Sequence, residues 1–312
     1  MSAPTVRSVD EAWRWLRGVP CTLLCGLWVL GVTTLPALAQ DSASLRARQA
    51  ALQASLEANT YNRPIYIESV HNGGDLRGEV YAIVQQPFAA VGPALQGMEH
   101  WCDILMLHLD VKMCRWSLSG PEQMTVSTAR KYDQPLESAA SVEFDYRVTA
   151  STADYLQVQL HAAHGPMGTH DYHIMLEAVA LDARTSFLHF SYAYSQGFGG
   201  RIAMEAYLAT LGRNKVGFTV TGHKPDGQPV FINNVRGLVE RNCMRYFLAI
   251  EAFLAAQTLA PAERLERRLR EWHAGSERYP VQLHEMERDD YLAMKRREIQ
   301  VQQTTAKAAK PG

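Results

Sequence analysis

The sequence predicts an α+β fold in which a curved antiparallel sheet wraps around one long helix near the C-terminus. Two patterns and one spacing carry this. Between residues 142 and 194 four segments alternate apolar with polar residues, as a sheet with one buried and one wet face requires. Val142, Phe144, Tyr146 and Val148 make the first, and Leu156, Val158 and Leu160 the second. Tyr172, Ile174, Leu176 and Ala178 make the third, and Leu188, Phe190, Tyr192 and Tyr194 the last. Links such as 165–168 are too short to hold a crossover helix, so neighbouring strands run antiparallel. Over 235–257 the spacing changes to three and four. Val239, Cys243, Phe247, Ile250 and Leu254 line one helix face there, widened by Tyr246 and Phe253. Asn233 and Asn234 stand before it as candidate N-caps. So wide an aromatic face needs a large apolar partner, and the alternating segments are the candidate.

Taken from the start, residues 1–39 read as a secretory signal. Arg7, Arg14 and Arg17 form the basic region, 19–35 is apolar, and Ala37-Leu38-Ala39 is a small-residue cleavage site. The apolar run borders on the length of a membrane anchor, but the site after it favours cleavage behind Ala39 and export to the periplasm. Neither Cys21 nor Cys25 follows the small residue of a lipoprotein signal. Residues 40–63 form a helical segment with Leu45, Leu52 and Leu56 on one side, set on the surface of the body. The β-rich runs 64–70 and 76–84 flank a hairpin-type turn at 71–75. A short helix over 87–96 follows despite Pro93, then a second short helix or compact loop over 100–108, and weaker strands at 109–116 and 124–131. After the four alternating segments, Gly197, Gly199 and Gly200 break the pattern before a helix at 201–211 and strand-like pieces at 215–221 and 228–232. Residues 258–300 are helical and charge-dense, read as solvated helices packed on the body, and 301–312 read as a disordered tail. No internal repeat is visible.

A content of 47% hydrophobic and 20% charged residues suits a globular protein with a sizeable core. The net charge of −1, without a basic stripe, removes the electrostatic argument for nucleic acid. Of the five cysteines, Cys102, Cys114 and Cys243 remain after cleavage. Cys102 and Cys114 would close a short loop if its two ends meet, though pairing cannot be read from spacing alone. Cys243 lies on the apolar stripe and reads as an inert buried thiol.

Strand, two short helices, a run of antiparallel strands and one long helix is an order that resembles the helix-grip fold of the START/Bet v 1-like (SRPBCC) superfamily. That superfamily includes lipid-transfer domains and polyketide cyclases. The residues carrying the resemblance are Gly78-Glu79-Val80-Tyr81-Ala82-Ile83-Val84, Pro87-Phe88-Ala89-Ala90-Val91, the alternating strands and the 235–257 helix. It covers 64–257 with no short diagnostic motif, and departs from the pattern by an insert at 197–234 and the extension after Pro261. The resemblance implies a cavity between sheet and helix that takes a hydrophobic or lipid-like small molecule; the residues themselves call for no cofactor and no metal. Contact with a membrane surface or an envelope protein is a further partner to consider. The inward aromatic residues Phe144, Tyr146, Tyr172, Phe190, Tyr192, Tyr194 and Phe247 become the candidate ligand-binding set, with Arg130 to orient a polar end. Buried tyrosine hydroxyls want partners, which a ligand head group or water supplies. A filled core whose tyrosines satisfy one another is the alternative.

Three other groupings are weaker. Around the 165–168 turn stand His161, His164, His170, Asp171 and His173. With Leu160 and Tyr172 pointing inward, His161 falls opposite Asp171, and His161, Asp171 and His173 share the outer face. Two imidazoles and a carboxylate can hold a divalent metal, but no pocket excludes water there, so a solvated histidine-rich face is the reading adopted. Asp103 and His108 could act as acid and base if they face one substrate. Arg130, Lys131 and Asp133 could hold an anion or pair at the surface. No nucleophile elbow, P-loop or dinucleotide fingerprint occurs, and the glycines at 197–200 read as a hinge. The sequence therefore points to a periplasmic protein that binds a hydrophobic or amphipathic, lipid-like molecule without transforming it. The alternatives are a cyclase- or hydrolase-like enzyme on the same fold and an envelope structural or assembly protein with a filled core.

Overall fold

The computed structural model describes residues 41–117, 122–129, 131–209 and 215–308, without the side chains of 203, 205–209 and 306–308. The signal-like segment 1–39 and Arg130 lie outside the described residues. In chain order the elements are α1 (Ser42–Glu57), β1 (Ile65–Asn72), β2 (Asp75–Val84), α2 (Phe88–Leu95), α3 (Met98–Leu105), β3 (Val111–Ser117) and β4 (Gln123–Thr128). Then come β5 (Ala140–Ser151), β6 (Tyr155–His164), β7 (Thr169–Ala180), β8 (Ser186–Gln196), α4 (Phe198–Ala209), β9 (Val220–His223) and β10 (Pro229–Phe231). The chain closes with α5 (Asn234–Ala255), α6 (Pro261–Ser276), α7 (Pro280–Leu283) and α8 (Arg288–Ala308). No described helix is long and apolar enough to cross a membrane.

The alternating segments pair in one eight-stranded sheet of order β1-β2-β8-β7-β6-β5-β4-β3, antiparallel throughout. One face grips α5, and this is the helix-grip arrangement. Val239, Cys243, Phe247, Ile250 and Leu254 are all buried against it. Gly78 of β2 makes the close approach achievable: a Cβ there would stand 2.6 Å from the Cys243 Sγ. Any side chain at 78 would lift the helix off the strand.

Asn233 takes the N-cap position of α5, but no side chain caps the first turn. The Asn234 side-chain amide donates to Asn233 Oδ1 at 2.9 Å, so that oxygen is already engaged, and Asn234 itself sits at φ +58°. The insert is tied down instead by Glu240, wholly buried in α5. Its carboxylate accepts from the amides of Phe218 (2.7 Å) and Thr219 (2.9 Å) and from the hydroxyls of Thr219 (2.7 Å) and Ser69 (2.6 Å). Four donors satisfy a charge that would otherwise be expensive to bury.

Two expectations are corrected. The outer face of the sheet is not uniformly wet. Leu45, Leu52 and Leu56 of α1 pack on Tyr81, Tyr155, Val179 and Phe187, which seals Glu177 and His189 beneath them. Alternation reports that a strand has two unlike faces; it cannot report that a distant helix covers the polar one. The tail is also more ordered than its composition suggests, since α8 runs to Ala308. Gln302 Oε1 accepts from the Cys114 amide at 2.7 Å, and Lys295 Nζ donates to the Val111 carbonyl at 2.8 Å. These contacts occupy backbone groups along β3, the edge of the sheet, which anchors the helix and blunts the edge.

Candidate functional site

Between the sheet and α5 lies a cavity of about 150 Å³. Its apolar wall comes from Leu105, Val111, Val126, Val142, Phe144 and Ile174. Its polar end is built by His108 and Asp110 from the α3–β3 turn, by Asn242 and Tyr246 one turn apart on α5, and by Tyr172 and Tyr192 from the sheet. A larger cavity of about 320 Å³ opens at the C-terminal end of α5, but the Arg63–Glu251 ion pair, Glu271 and Arg278 line it. A lining with this many charged groups suits solvent better than an apolar ligand, so the smaller, mixed cavity is the candidate.

The turn carrying His108 and Asp110 is held from several sides. Cys102 of α3 and Cys114 of β3 are joined by a disulfide (S–S 1.97 Å), which closes the segment between them. Tyr291 of α8 donates to the Leu107 carbonyl at 2.9 Å. Beneath the turn lies an ionic layer from the C-terminal extension. Glu285 pairs with Arg245 (2.8 Å) and Lys215 (2.9 Å) and with Arg241, and Glu298 pairs with Lys295 (2.8 Å) and Lys112 (2.6 Å). Burial alone would raise the Glu285 carboxyl; Arg245, Lys215 and Arg241 outweigh it and bring the pKa down to about 2. Burial brings Lys295 down to about 8 despite Glu298. The extension that the sequence marks as an addition therefore braces the site.

His108 is buried and stacks on Tyr246, ring centroids 4.7 Å apart. Its Nδ1 accepts from the Asp110 amide at 3.2 Å. Burial pushes its pKa well below the ordinary imidazole value, and the charges of Arg245, Lys295 and Arg241 push the same way, so the ring is neutral. Burial raises the Asp110 carboxyl against the pull of Arg245 and Lys295. Burial also raises the hydroxyls of Tyr172, Tyr192 and Tyr246, which stay protonated.

Of the residues singled out from sequence, Phe144, Tyr172 and Tyr192 line this cavity. Tyr194 stands directly behind Tyr172, stacked at 5.3 Å. Tyr146 is committed elsewhere: its hydroxyl accepts from the Gly97 amide at 2.8 Å. Phe190 and Phe247 are core residues outside the lining. Asp103 and His108 do not share the cavity, because Asp103 turns to Arg268 of α6 at 2.6 Å. Sequence reasoning did not single out Asp110 or Asn242; the i, i+4 spacing of Asn242 and Tyr246 was the available signal for the latter. On the outer face, His161 pairs in register with His173 rather than Asp171. The β6–β7 pairing keeps one register from Tyr155↔Val179 to His164↔His170, so the link 165–169 sets it; Asp171, at φ +53°, lies in an irregularity on the β8 side of β7. Its Oδ1 is shared by the Nε2 atoms of His161 (3.2 Å) and His173 (3.0 Å), all three side chains being exposed. The three could hold a metal ion, having ligand atoms within 4.8 Å of one another.

No family model matches the chain. No curated protein matches it either. Among solved structures it is similar to norcoclaurine synthase from Thalictrum flavum, with a TM-score of 0.32 and 10% identity over 47% of this chain and 82% of that one. It is also similar to a START superfamily protein from Mycobacterium smegmatis, with a TM-score of 0.30 and 12% identity over 45% and 93%. A conserved protein from Geobacillus kaustophilus gives 0.30 and 11% over 44% and 85%. Likeness at this level carries no argument about chemistry, which rests on the cavity itself.

Proposed function

We propose that the chain encloses a small apolar or amphipathic molecule between sheet and α5 and carries it in the periplasm without transforming it. The observation that supports this most is the division of one cavity wall into an apolar side and a polar end at His108, Asp110 and Tyr246. Apolar area removed from water would supply affinity at about 25 cal/mol per Å², and the polar end would set orientation. At about 150 Å³ the space suits a single ring or a short branched chain rather than a long acyl chain. A contact with a membrane surface fits the same reading through Met167, Phe198 and Ile202, which are exposed beside the turn that brings Pro166 to the cavity.

Native mass spectrometry of protein purified from periplasm, with organic extraction of what dissociates, tests the reading. A co-purifying compact apolar molecule, absent from a Val126→Trp variant, is the expected result. A clean apo mass that a library of ring-sized compounds leaves unchanged would overturn it, in favour of an assembly protein. An enzyme is the second reading, favoured by the buried imidazole beside an up-shifted Asp110 carboxyl. It requires that the bound molecule be chemically changed by the wild type and not by Asp110→Asn.

A further inference from the structure

The imidazole of His108 has one nitrogen whose role is settled. A backbone amide can only donate, so the Asp110 N–H that meets Nδ1 at 3.2 Å makes Nδ1 an acceptor without a proton. In a neutral ring the proton then sits on Nε2. That Nε2–H is buried, belongs to a side chain lining the cavity, and has no hydrogen-bond partner among the described residues. A buried donor left unmatched costs roughly 1–3 kcal/mol, a cost that an acceptor reaching Nε2 from the cavity would remove.

We infer that the ligand of this cavity is a neutral molecule that presents a hydrogen-bond acceptor to His108 Nε2–H, with its apolar body against Val111, Val126, Val142 and Phe144. This rests on the cavity being a ligand site, as proposed above. Charge on the ligand is disfavoured from both directions. A cation would be stripped of its water against a largely apolar wall. An anion would share the pocket with the Asp110 carboxyl, while Arg245, Arg241 and Lys295 are already engaged by Glu285 and Glu298. The stacking of His108 on Tyr246 fixes the ring plane, so the donor is held in place before the ligand arrives.

Three probes of nearly one shape separate the possibilities: acetophenone, α-methylstyrene, in which the carbonyl oxygen is replaced by a methylene, and benzoate. Calorimetric titration of the full-length mature protein should give acetophenone about tenfold tighter than α-methylstyrene, the worth of one net hydrogen bond to a buried donor. In His108→Phe that ratio should fall to near one. In the wild type the His108 Nε2–H proton resonance should move downfield with acetophenone and not with α-methylstyrene, a readout that does not depend on the variant folding. Equal affinity for the two neutral probes, or benzoate bound tighter than acetophenone, overturns the inference while leaving the cavity a ligand site. Absence of binding by any probe overturns the ligand site as well.

Discussion

Two buried histidines lie on opposite faces of one sheet, and their surroundings drive their protonation apart. His108, on the gripped face, has cations around it and no carboxylate hydrogen-bonded to it among the described residues, and its pKa is depressed by burial and by Arg245, Lys295 and Arg241. His189, on the outer face, is as deeply buried, but Glu177 meets its Nδ1 at 2.8 Å and Glu79 lies 3.7 Å from Nε2. Burial still opposes its charge; the two carboxylates outweigh burial and raise its pKa. Glu79 in turn is held down to about 2, its own burial overcome by His189. Desolvation is common to both sites, so the partners decide the charge. One face thus holds a neutral imidazole among cations, and the other holds an imidazole whose Nδ1 is closed onto the Glu177 carboxylate.

The largest break in this contrast should come from Glu177→Ala. The Glu177 carboxylate also accepts from the Tyr155 hydroxyl at 2.5 Å, so its loss strands two buried groups at once. We expect about 3 kcal/mol of destabilisation by urea titration, with the amides of α1 losing hydrogen-exchange protection first; a loss below 1 kcal/mol would mean that the network contributes little. Next in size are opposite pH slopes. His189, with a raised folded pKa, contributes stability that is present below its ordinary value of 6.5 and lost as pH rises through the folded value. His108, with a lowered one, contributes stability that is present above 6.5 and lost as pH falls towards the folded value. Each slope is at most about 1.4 kcal/mol per pH unit. Denaturation midpoints should therefore show His189→Phe flattening the alkaline side and His108→Phe flattening the side between 4.5 and 6.5, above the window of Glu79. Identical profiles for the two variants would dissolve the comparison. The smallest effect belongs to Asp171→Ala. That carboxylate also bridges two histidines on the outer face, yet it is exposed, and an exposed pair is worth under about 1 kcal/mol. A midpoint shift as large as that of Glu177→Ala would show that exposure is not what separates them.

Much of the fold was legible because periodicity is a local signal. The alternation at 142–194 and the stripe from Val239 to Leu254 became the sheet and the helix it grips. The misreading of the outer face comes from contacts distant in sequence. Glu177 and His189 read as wet because nothing near them announces that Leu45, Leu52 and Leu56 will cover that face. The expected pairing of His161 with Asp171 failed because alternation fixes which face a residue takes but not the length of the turn, here 165–169. Of the cavity lining, the aromatic part was legible, through Phe144, Tyr172 and Tyr192. Its polar half was not, because the proton position on His108 depends on a backbone amide two residues away, and its neutrality on burial and on the charges of Arg245 and Arg241 of α5 and Lys295 of α8.

The seal that α8 places along β3 also has a place in time. Residues Val111–Ser117 are made long before Arg288–Ala308, and the α8 groups that meet the Val111 carbonyl and the Cys114 amide arrive among the later residues of the described chain. Until then the sheet has an open border onto which another strand can add. Polymerisation is thus a hazard of the interval between the two, and a chain ended before Arg288 should extend that interval indefinitely, growing in mass by light scattering where the longer chain does not.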